Sequence, residues 1–206
     1  MDIKPLRLGV LLSGGGRTLV NVQRRIDEGT LSARVAVVIA SRPCRGLEWA
    51  QAAGLDAHLV PYKTTPQPHY SDAITALLDS AGVDLVVMAG FLSMWHIPST
   101  YAGRVINIHP ALLPAFGGKG MFGHHVHEAV LRHGCKLSGC TVHFVTNEYD
   151  QGPILVQKAV PVLEDDTSDT LASRVFEQEM LAFPEALQLL AEGRVSIVDG
   201  VARIRR

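Results

Sequence analysis

The sequence predicts an α/β fold with a Rossmann-like, mostly parallel sheet and helices on both of its faces. In the first half of the chain, short apolar segments alternate with segments of helical spacing. Strands that are apolar on both faces are typical of parallel sheets covered by helices. The first strand also runs directly into a glycine-rich turn and a helix. The second half instead predicts C-terminal antiparallel strands and a long C-terminal helix.

The first half alternates regularly between strands and helices. Its strands are short runs rich in Val, Ile, Leu and Ala, whereas its helices repeat apolar residues every three or four positions, as in Leu19, Val22 and Ile26. The predicted strands are residues 6–12, 34–40, 57–60, 85–89 and 104–108. The predicted helices are residues 18–28, 46–53 and 70–81.

Two longer strands are predicted in the second half. Residues 138–146 and 153–161 have strand character, and the polar segment 147–152 lies between them. This pattern predicts an antiparallel pair joined by a turn.

The C-terminal part predicts a helix and a hairpin. Residues 168–192 have helical spacing, with Pro184 expected to kink the helix and Gly193 expected at its C-terminal cap. Asp199-Gly200 predicts the turn of a hairpin over residues 195–204.

Composition limits the class of protein. At 206 residues, with 47% hydrophobic and 19% charged residues, the chain can bury a core, and we expect residues 1–206 to form a single domain. A net charge of −1 gives no indication of a nucleic-acid or membrane partner. Three cysteines without a CxxC pair favour a reducing compartment. Because no signal peptide or membrane span is evident, we expect a cytoplasmic protein. A monomer or weak homodimer is the expected oligomeric state.

The segment Asn107-Ile108-His109-Pro110 is the most informative motif. Asn107 and His109 are two residues apart on a strand, so their side chains share one face. Pro110 has no N–H to donate to a sheet, so the strand ends there. Open α/β sheets carry their chemistry at the carboxyl ends of strands. Asn107 and His109 are therefore candidate catalytic residues, with a local role in a turn as the alternative.

A glycine-rich segment, residues 13–18, follows the first strand and reads Ser-Gly-Gly-Gly-Arg-Thr. A strand, a glycine turn and a helix together direct backbone N–H groups and a helix dipole at an anion, and Arg17 adds a donor suited to phosphate. Leu19 lies near the place where a dinucleotide fingerprint needs glycine, and no Gly-Lys-Ser/Thr of a P-loop follows. The segment favours phosphate binding, with a tight turn that binds no ligand as the alternative.

Two further polar groups have competing interpretations. Asp150 lies in the turn between the two long strands, where an acid either stabilises the turn or takes part in catalysis. His124, His125, His127 and His133 suggest a metal, but they lack the i, i+4 pairing of a helical zinc site. No cysteine at ligand spacing completes a set, so no metal is expected.

Taken together, these residues resemble the phosphoribosylglycinamide formyltransferases. The resemblance extends from the first strand to the long C-terminal helix, and the Asn-x-His-Pro and Asp-x-Gly-Pro segments are its most specific parts. The motifs are Ser13-Gly14-x-Gly16, Ala89-Gly90-Phe91, Asn107-Ile108-His109-Pro110-x-Leu112-Leu113-Pro114, His143-Phe144-Val145 and Asp150-x-Gly152-Pro153-Ile154-x-x-Gln157.

The resemblance implies transfer of a formyl group from 10-formyltetrahydrofolate to the glycyl amine of 5-phosphoribosylglycinamide in purine biosynthesis. Attack of the amine creates a tetrahedral centre with a negatively charged oxygen, which needs hydrogen-bond donors. Asn107 and protonated His109 would donate to this oxygen. Asp150 would pair with the imidazole and organise a water for proton transfer. The reaction requires neither a metal nor a covalent nucleophile.

The resemblance also assigns substrate contacts. It implies that the phosphate of the acceptor binds to Gly14-Gly15-Gly16-Arg17-Thr18. The glycinamide part of the acceptor would contact Glu179 in the long helix. The folate would lie along two segments that offer backbone groups and apolar side chains. These segments are Leu92, Ser93, Met94 and Trp95, and Thr146, Asn147, Glu148 and Tyr149.

Some positions depart from the family pattern. Familiar members carry Asn-Gly-Ser-Asn where this chain has Gly15-Gly16-Arg17-Thr18, and many carry arginines at or near the positions of Ser93 and Gln67. We therefore expect altered contacts to the phosphate and different or weaker contacts to the glutamate tail of the folate. Residues 116–123 form a glycine-rich loop, which we interpret as a mobile flap over the site.

Relatives with other activities provide the alternatives. A formyltetrahydrofolate hydrolase usually carries an extra N-terminal domain, and a methionyl-tRNA formyltransferase carries a C-terminal RNA-binding domain. Neither extra domain is expected here. A catalytically silent folate- or nucleotide-binding homologue is disfavoured, because a binder does not need Asn107, His109 and Asp150 together.

Overall fold

The computed structural model describes residues 4–205, and the chain forms two compact units. The first unit ends at Ile106 and the second begins at Asn107, within strand β5. The elements up to this point are β1 (Leu6–Leu12), α1 (Arg17–Asp27), β2 (Ala33–Ala40), α2 (Arg45–Ala52), β3 (Ala57–Leu59), α3 (His69–Ser80), β4 (Leu85–Met88), a 3₁₀ turn (Ser99–Tyr101) and β5 (Val105–His109). The chain continues with α4 (His124–Arg132), β6 (Leu137–Phe144), β7 (Ile154–Pro161), α5 (Ser168–Ala191), β8 (Val195–Val198) and β9 (Val201–Ile204).

In the first unit, the strands hydrogen-bond in the order β3-β2-β1-β4-β5. β1 pairs in parallel with β2 and β4, and β2 pairs in parallel with β3. Val10 on β1 is aligned with Val38 on β2 and Val87 on β4, and all three side chains are buried. Apolar residues on both faces of these strands explain the burial, because a parallel sheet is covered on both sides.

In the second unit, the strands hydrogen-bond in the order β5-β6-β7. β6 and β7 are antiparallel, with Val142 opposite Val156 and a register shift between Val142 and His143. α5 packs against both of these strands, and α4 packs against α5. Thr167 and Thr170 form a capping box at the start of α5, which satisfies backbone N–H groups that have no partner within the helix.

The predicted fold class is confirmed, and the predicted elements lie close to the observed ones. Gly193 follows α5 with a φ of 62°, the left-handed conformation expected after a helix end. Asp199 and Gly200, at φ 50° and 74°, form the turn between β8 and β9. Helix α4 was not predicted. The kink at Pro184 and the single-domain organisation stay predictions.

None of the helices within residues 4–205 combines the length and the apolar character needed to cross a bilayer.

Candidate active site

The end of β5 carries the two polar side chains that the sequence indicates. Asn107 and His109 alternate with Ile106 and Ile108, both of which are buried. His109 is itself buried, and Asn107 is half-buried. Because alternate residues of a strand point to opposite faces, the amide and the imidazole project from the same face.

Asn107, His109, His143 and Asp150 form one polar cluster in the second unit. The Nδ2 atom of Asn107 lies 3.2 Å from Nε2 of His143. The Oδ1 atom of Asp150 lies 3.6 Å from the same Nε2, and its Oδ2 atom lies 3.7 Å from Nδ1 of His109. The structure therefore brings the three predicted catalytic residues together and adds His143.

His143 is a buried acceptor that orients the amide of Asn107. Its Nδ1–H donates to the backbone carbonyl of Phe144 at 2.9 Å, which assigns the tautomer and leaves a lone pair on Nε2. That lone pair accepts a hydrogen bond from the Asn107 amide. Burial lowers the pKa of His143, and this effect exceeds the opposing effects of the Phe144 carbonyl and the Asp150 carboxylate. The imidazole is therefore neutral near pH 7.

Asp150 projects its carboxylate from a tight turn between β6 and β7. Its φ of 56° lies in the left-handed region, which L-residues with a Cβ rarely adopt. At Gly152, an added Cβ would lie 1.8 Å from the carbonyl oxygen of Phe144, so only glycine fits there. The turn is thus closed against the end of β6, which holds Asp150 beside the histidines.

The glycine-rich loop after β5 contacts the cluster through its backbone. The Nε2–H of His109 donates to the carbonyl of Phe116 at 2.8 Å. The backbone N–H of Gly118 donates to Oδ2 of Asp150, also at 2.8 Å. The loop therefore hydrogen-bonds to two of the candidate catalytic side chains, His109 and Asp150.

Thr141 and Gln157 fix the path of the chain that follows His109. The Thr141 hydroxyl donates to the carbonyl of Ala111 at 2.6 Å and accepts the N–H of Leu113 at 3.0 Å. The Nε2 of Gln157 donates to the Leu113 carbonyl and to the Thr141 hydroxyl, both at 3.0 Å. Because Thr141 is buried and all of these groups are mutually hydrogen-bonded, the network restricts the position of the imidazole.

His127 is a second buried imidazole, contributed by α4. Its Nδ1 has no hydrogen-bond partner among residues 4–205. Burial lowers the pKa of His127 to about 4, and the nearby His124 and His109 act in the same direction. Within the described chain, no group of three or more His, Cys, Asp or Glu side chains is arranged to hold a metal ion.

In the first unit, residues 13–16 form the turn between β1 and α1, and Arg17 and Thr18 begin the helix. The Ser13 hydroxyl lies 2.6 Å from that of Ser41 and accepts the N–H of Leu92 at 2.9 Å. Gly16, with a φ of 73°, precedes Arg17, the first residue of α1. No side chain caps this helix, so the candidate phosphate residues surround an uncapped helix N-terminus. These residues are Gly14, Gly15, Gly16, Arg17 and Thr18.

The two predicted folate segments lie in different units. In the first unit, the carbonyl of Met94 accepts a hydrogen bond from Nε2 of Gln67 at 2.9 Å. The Trp95 side chain is buried, so it belongs to the core of this unit and leaves its backbone to contact a ligand. In the second unit, the N–H of Glu148 donates to the Thr146 hydroxyl at 3.2 Å. The other members of the two segments are Leu92, Ser93, Asn147 and Tyr149, of which Leu92, Asn147 and Tyr149 are exposed.

Glu179 lies on α5 and is half-buried. Burial raises the pKa of the Cys140 thiol to about 12, and the charge of Glu179 acts in the same direction. The Glu179 carboxylate is therefore close enough to β6 to influence Cys140, rather than a fully solvated helix residue.

Comparisons with known proteins identify the family. The family described as Formyl transferase matches residues 6–187. The chain belongs to the formyl transferase family. Its sequence is 38% identical to the chloroplastic phosphoribosylglycinamide formyltransferase of Arabidopsis thaliana, with 97% of this chain and 70% of that protein covered.

Bacterial relatives of this formyl transferase are similar over nearly their whole length. Phosphoribosylglycinamide formyltransferase of Escherichia coli K12 is 33% identical, with 96% of this chain and 92% of that protein covered. The solved structure of glycinamide ribonucleotide transformylase 1 from Symbiobacterium toebii has a TM-score of 0.92 at 42% identity, with 98% of this chain and 95% of that chain covered. The resemblance indicated by the motifs is thus confirmed, as is the prediction that the chain is a formyltransferase enzyme.

Sequence reasoning included His143 in a family motif but did not place it in the site. His143 lies in an apolar strand segment, which is typical of a core position, and its partner Asn107 is 36 residues away. Gln157 was likewise included in a family motif without a role in the site, and Thr141 was not singled out. The available signal was a set of polar residues recurring along two otherwise apolar strands.

Proposed function

We propose that this formyl transferase moves the formyl group of 10-formyltetrahydrofolate to the glycyl amine of 5-phosphoribosylglycinamide, a step of purine biosynthesis. The observation that carries the proposal is the cluster of Asn107, His109 and Asp150 around the neutral imidazole of His143. The names of the relatives of similar length support the choice of acceptor.

We assign Asn107 and His109 to the stabilisation of the tetrahedral oxyanion. One amide N–H of Asn107 is held by His143, and the other is left to donate to the substrate oxygen. The imidazole of His109 would act beside that oxygen, and its Nδ1 lies 3.7 Å from Oδ2 of Asp150. Donors fixed before the reaction need no reorganisation when the charge develops.

We assign Asp150 to proton transfer. As the amine nitrogen bonds to the formyl carbon, it must lose a proton, and the folate nitrogen must gain one as its bond to that carbon breaks. A carboxylate between two imidazoles can accept the first proton, through a bridging water, and return a proton to the leaving nitrogen. Protons, bonds and charge balance without a metal or a covalent enzyme intermediate.

The remaining assignments are substrate contacts. The phosphate of the acceptor would bind at Gly14–Gly16 and the first turn of α1, where no side chain caps the helix. Glu179 would contact its glycinamide part. The folate would bind along Leu92–Trp95 and Thr146–Tyr149, chiefly through backbone groups. The proposed partners are these small molecules alone, and a monomer or weak homodimer stays a prediction.

The loop at residues 116–123 is assigned the role of a flap. Its hydrogen bonds from His109 and to Asp150 link its position to both catalytic side chains. Ligand binding should therefore change the protection of its amides. Hydrogen exchange with and without a folate analogue measures this change, and equal protection in both states would contradict a flap.

The proposed reaction is tested by folate release. Purified protein is incubated with 10-formyltetrahydrofolate, with and without phosphoribosylglycinamide, and tetrahydrofolate is measured over time. Release that depends on the ribonucleotide is expected. Release without acceptor would instead indicate a hydrolase, and ligand binding without release in either condition would indicate a silent binder.

A further inference from the structure

Arg42 lies against the glycine loop (residues 13–18) in the first unit. It follows β2 by two residues, at the carboxyl end of a central parallel strand. Its Nε–H donates to the backbone carbonyl of Ser13 at 2.6 Å. The guanidinium is thus attached to the residue that immediately precedes Gly14.

The same loop is contacted by α2, the helix that begins after Arg42. The N–H of Gly46 donates to the carbonyl of Gly14 at 3.0 Å. A Cβ added to Gly16 would lie 2.6 Å from the Cα of Gly46, so the two backbones touch. The loop therefore has a fixed position relative to the segment that carries Arg42.

The bond to Ser13 leaves most of the donors of Arg42 unused. Among the described residues, neither terminal nitrogen of Arg42 has a hydrogen-bond or ion-pair partner. A guanidinium held through Nε can present its terminal N–H groups together, in the fork that matches two oxygens of a phosphate. Arg42 is exposed, so these terminal N–H groups are accessible to a ligand.

We infer that Arg42 is a phosphate-binding residue that makes this chain specific for a phosphorylated acceptor. The inference rests on the proposed function and names a residue beyond the loop already assigned to the phosphate. Gly14, Gly15 and Gly16 offer no side-chain donor to a phosphate, and Arg42 supplies a charged donor beside them.

Arg42→Gln tests the inference when combined with removal of the phosphate from the acceptor. Loss of a charged hydrogen-bonding partner should raise KM for phosphoribosylglycinamide about 10- to 100-fold, with kcat little changed. KM for the dephosphorylated acceptor, glycinamide riboside, should not change. Arg34→Gln removes the same charge at the opposite end of β2 and is the matched control.

Several results would overturn the inference. An unchanged KM for phosphoribosylglycinamide would remove Arg42 from phosphate binding. Equal increases in KM for both acceptors would show that Arg42 only supports the loop. Thermal unfolding of each variant checks that the fold is retained.

A binding measurement keeps the inference testable if the proposed function fails. Ribose 5-phosphate should bind wild-type protein and bind Arg42→Gln about 10- to 100-fold more weakly, as measured by calorimetry. Equal binding, or no binding to wild type, would overturn the role of Arg42. By contrast, weaker binding of ribose 5-phosphate to Arg42→Gln than to wild type, with no formyl transfer by wild type, would contradict the proposed reaction and leave this inference supported.

Discussion

At the residue scale, the amide of Asn107 depends on a neighbour that a sequence does not reveal. His143 is neutral because it is buried, and its Nε2 can then only accept a hydrogen bond. This fixes which end of the Asn107 amide faces the imidazole. The remaining N–H is consequently oriented before any substrate arrives, which is the condition for efficient oxyanion stabilisation.

Asn107→Ala removes this donor. We expect kcat to fall about 100- to 1000-fold, the loss typical of one oxyanion donor, with little change in KM. His109→Ala should cause a loss of similar size. Initial rates of tetrahydrofolate release provide the measurement, and His58→Ala, which removes a half-buried imidazole on β3, should leave turnover normal. Near-normal turnover in either active-site variant would remove the assignment.

The candidate residues differ in how well the sequence indicates them. Asn107 and His109 interrupt an apolar strand just before Pro110, and Asp150 lies in a turn next to glycine and proline. Polar residues that interrupt an apolar strand, or that lie in a turn, differ from the pattern around them and can be selected from the sequence alone. His143 could not be selected in this way, because only the pairing of β5 with β6 brings it to Asn107.

At the element scale, the turn between β1 and α1 depends on one glycine more than on the others. Gly16 has a φ of 73° and touches the backbone of Gly46. Gly15 has neither a positive φ nor a neighbour within 4 Å of an added Cβ. The sequence shows three equivalent glycines, and the structure distinguishes them.

Gly16→Ala should therefore lower the free energy of unfolding by about 1–3 kcal/mol, because alanine is strained in the left-handed conformation. The overlap of the added Cβ with Gly46 should lower it further. Gly15→Ala should stay within about 0.5 kcal/mol of wild type. Urea denaturation of both variants gives the comparison. Equal stability of the two would show that Gly16 can relax without cost.

The free energy of unfolding should depend on pH because of His127 in helix α4. The pKa of this imidazole is lowered from 6.5 to about 4 in the folded chain. Below pH 6.5 the unfolded chain therefore binds a proton that the folded chain does not, and stability falls as the pH decreases toward 4. The full effect is about 3 kcal/mol, and His143 acts in the same direction.

His127→Gln should remove this share of the pH dependence. The free energy of unfolding, measured by urea denaturation between pH 7 and about 4, should then vary less steeply than in wild type. An identical slope in the His127 variant would contradict a neutral, buried imidazole.

The elements themselves were largely predictable, with α4 as the exception. Long apolar runs such as β2 and the repeat of α5 give clear periodicity. α4 has nine residues, no side-chain cap and three histidines, so its apolar face is short and gives only weak helical periodicity in the sequence. Its packing against α5 stabilises it, and that contact is not visible in local sequence.

At the scale of the whole molecule, fold and activity rest on different observations. The mostly parallel sheet with its C-terminal antiparallel strands is a scaffold that serves several reactions. The activity is argued instead from a small polar cluster in the second unit and a glycine loop in the first. The family confirms formyl transfer chemistry, and the acceptor is the part that most needs a direct test.

The most direct test follows the formyl carbon itself. Protein is incubated with phosphoribosylglycinamide and 10-formyltetrahydrofolate labelled isotopically at the formyl carbon, and the products are analysed by mass spectrometry. We predict that the label appears in a formylated ribonucleotide, in an amount equal to the tetrahydrofolate released, and that Asn107→Ala slows its appearance. Label recovered as formate, or a ribonucleotide that stays unlabelled while folate is released, would contradict the proposed transfer.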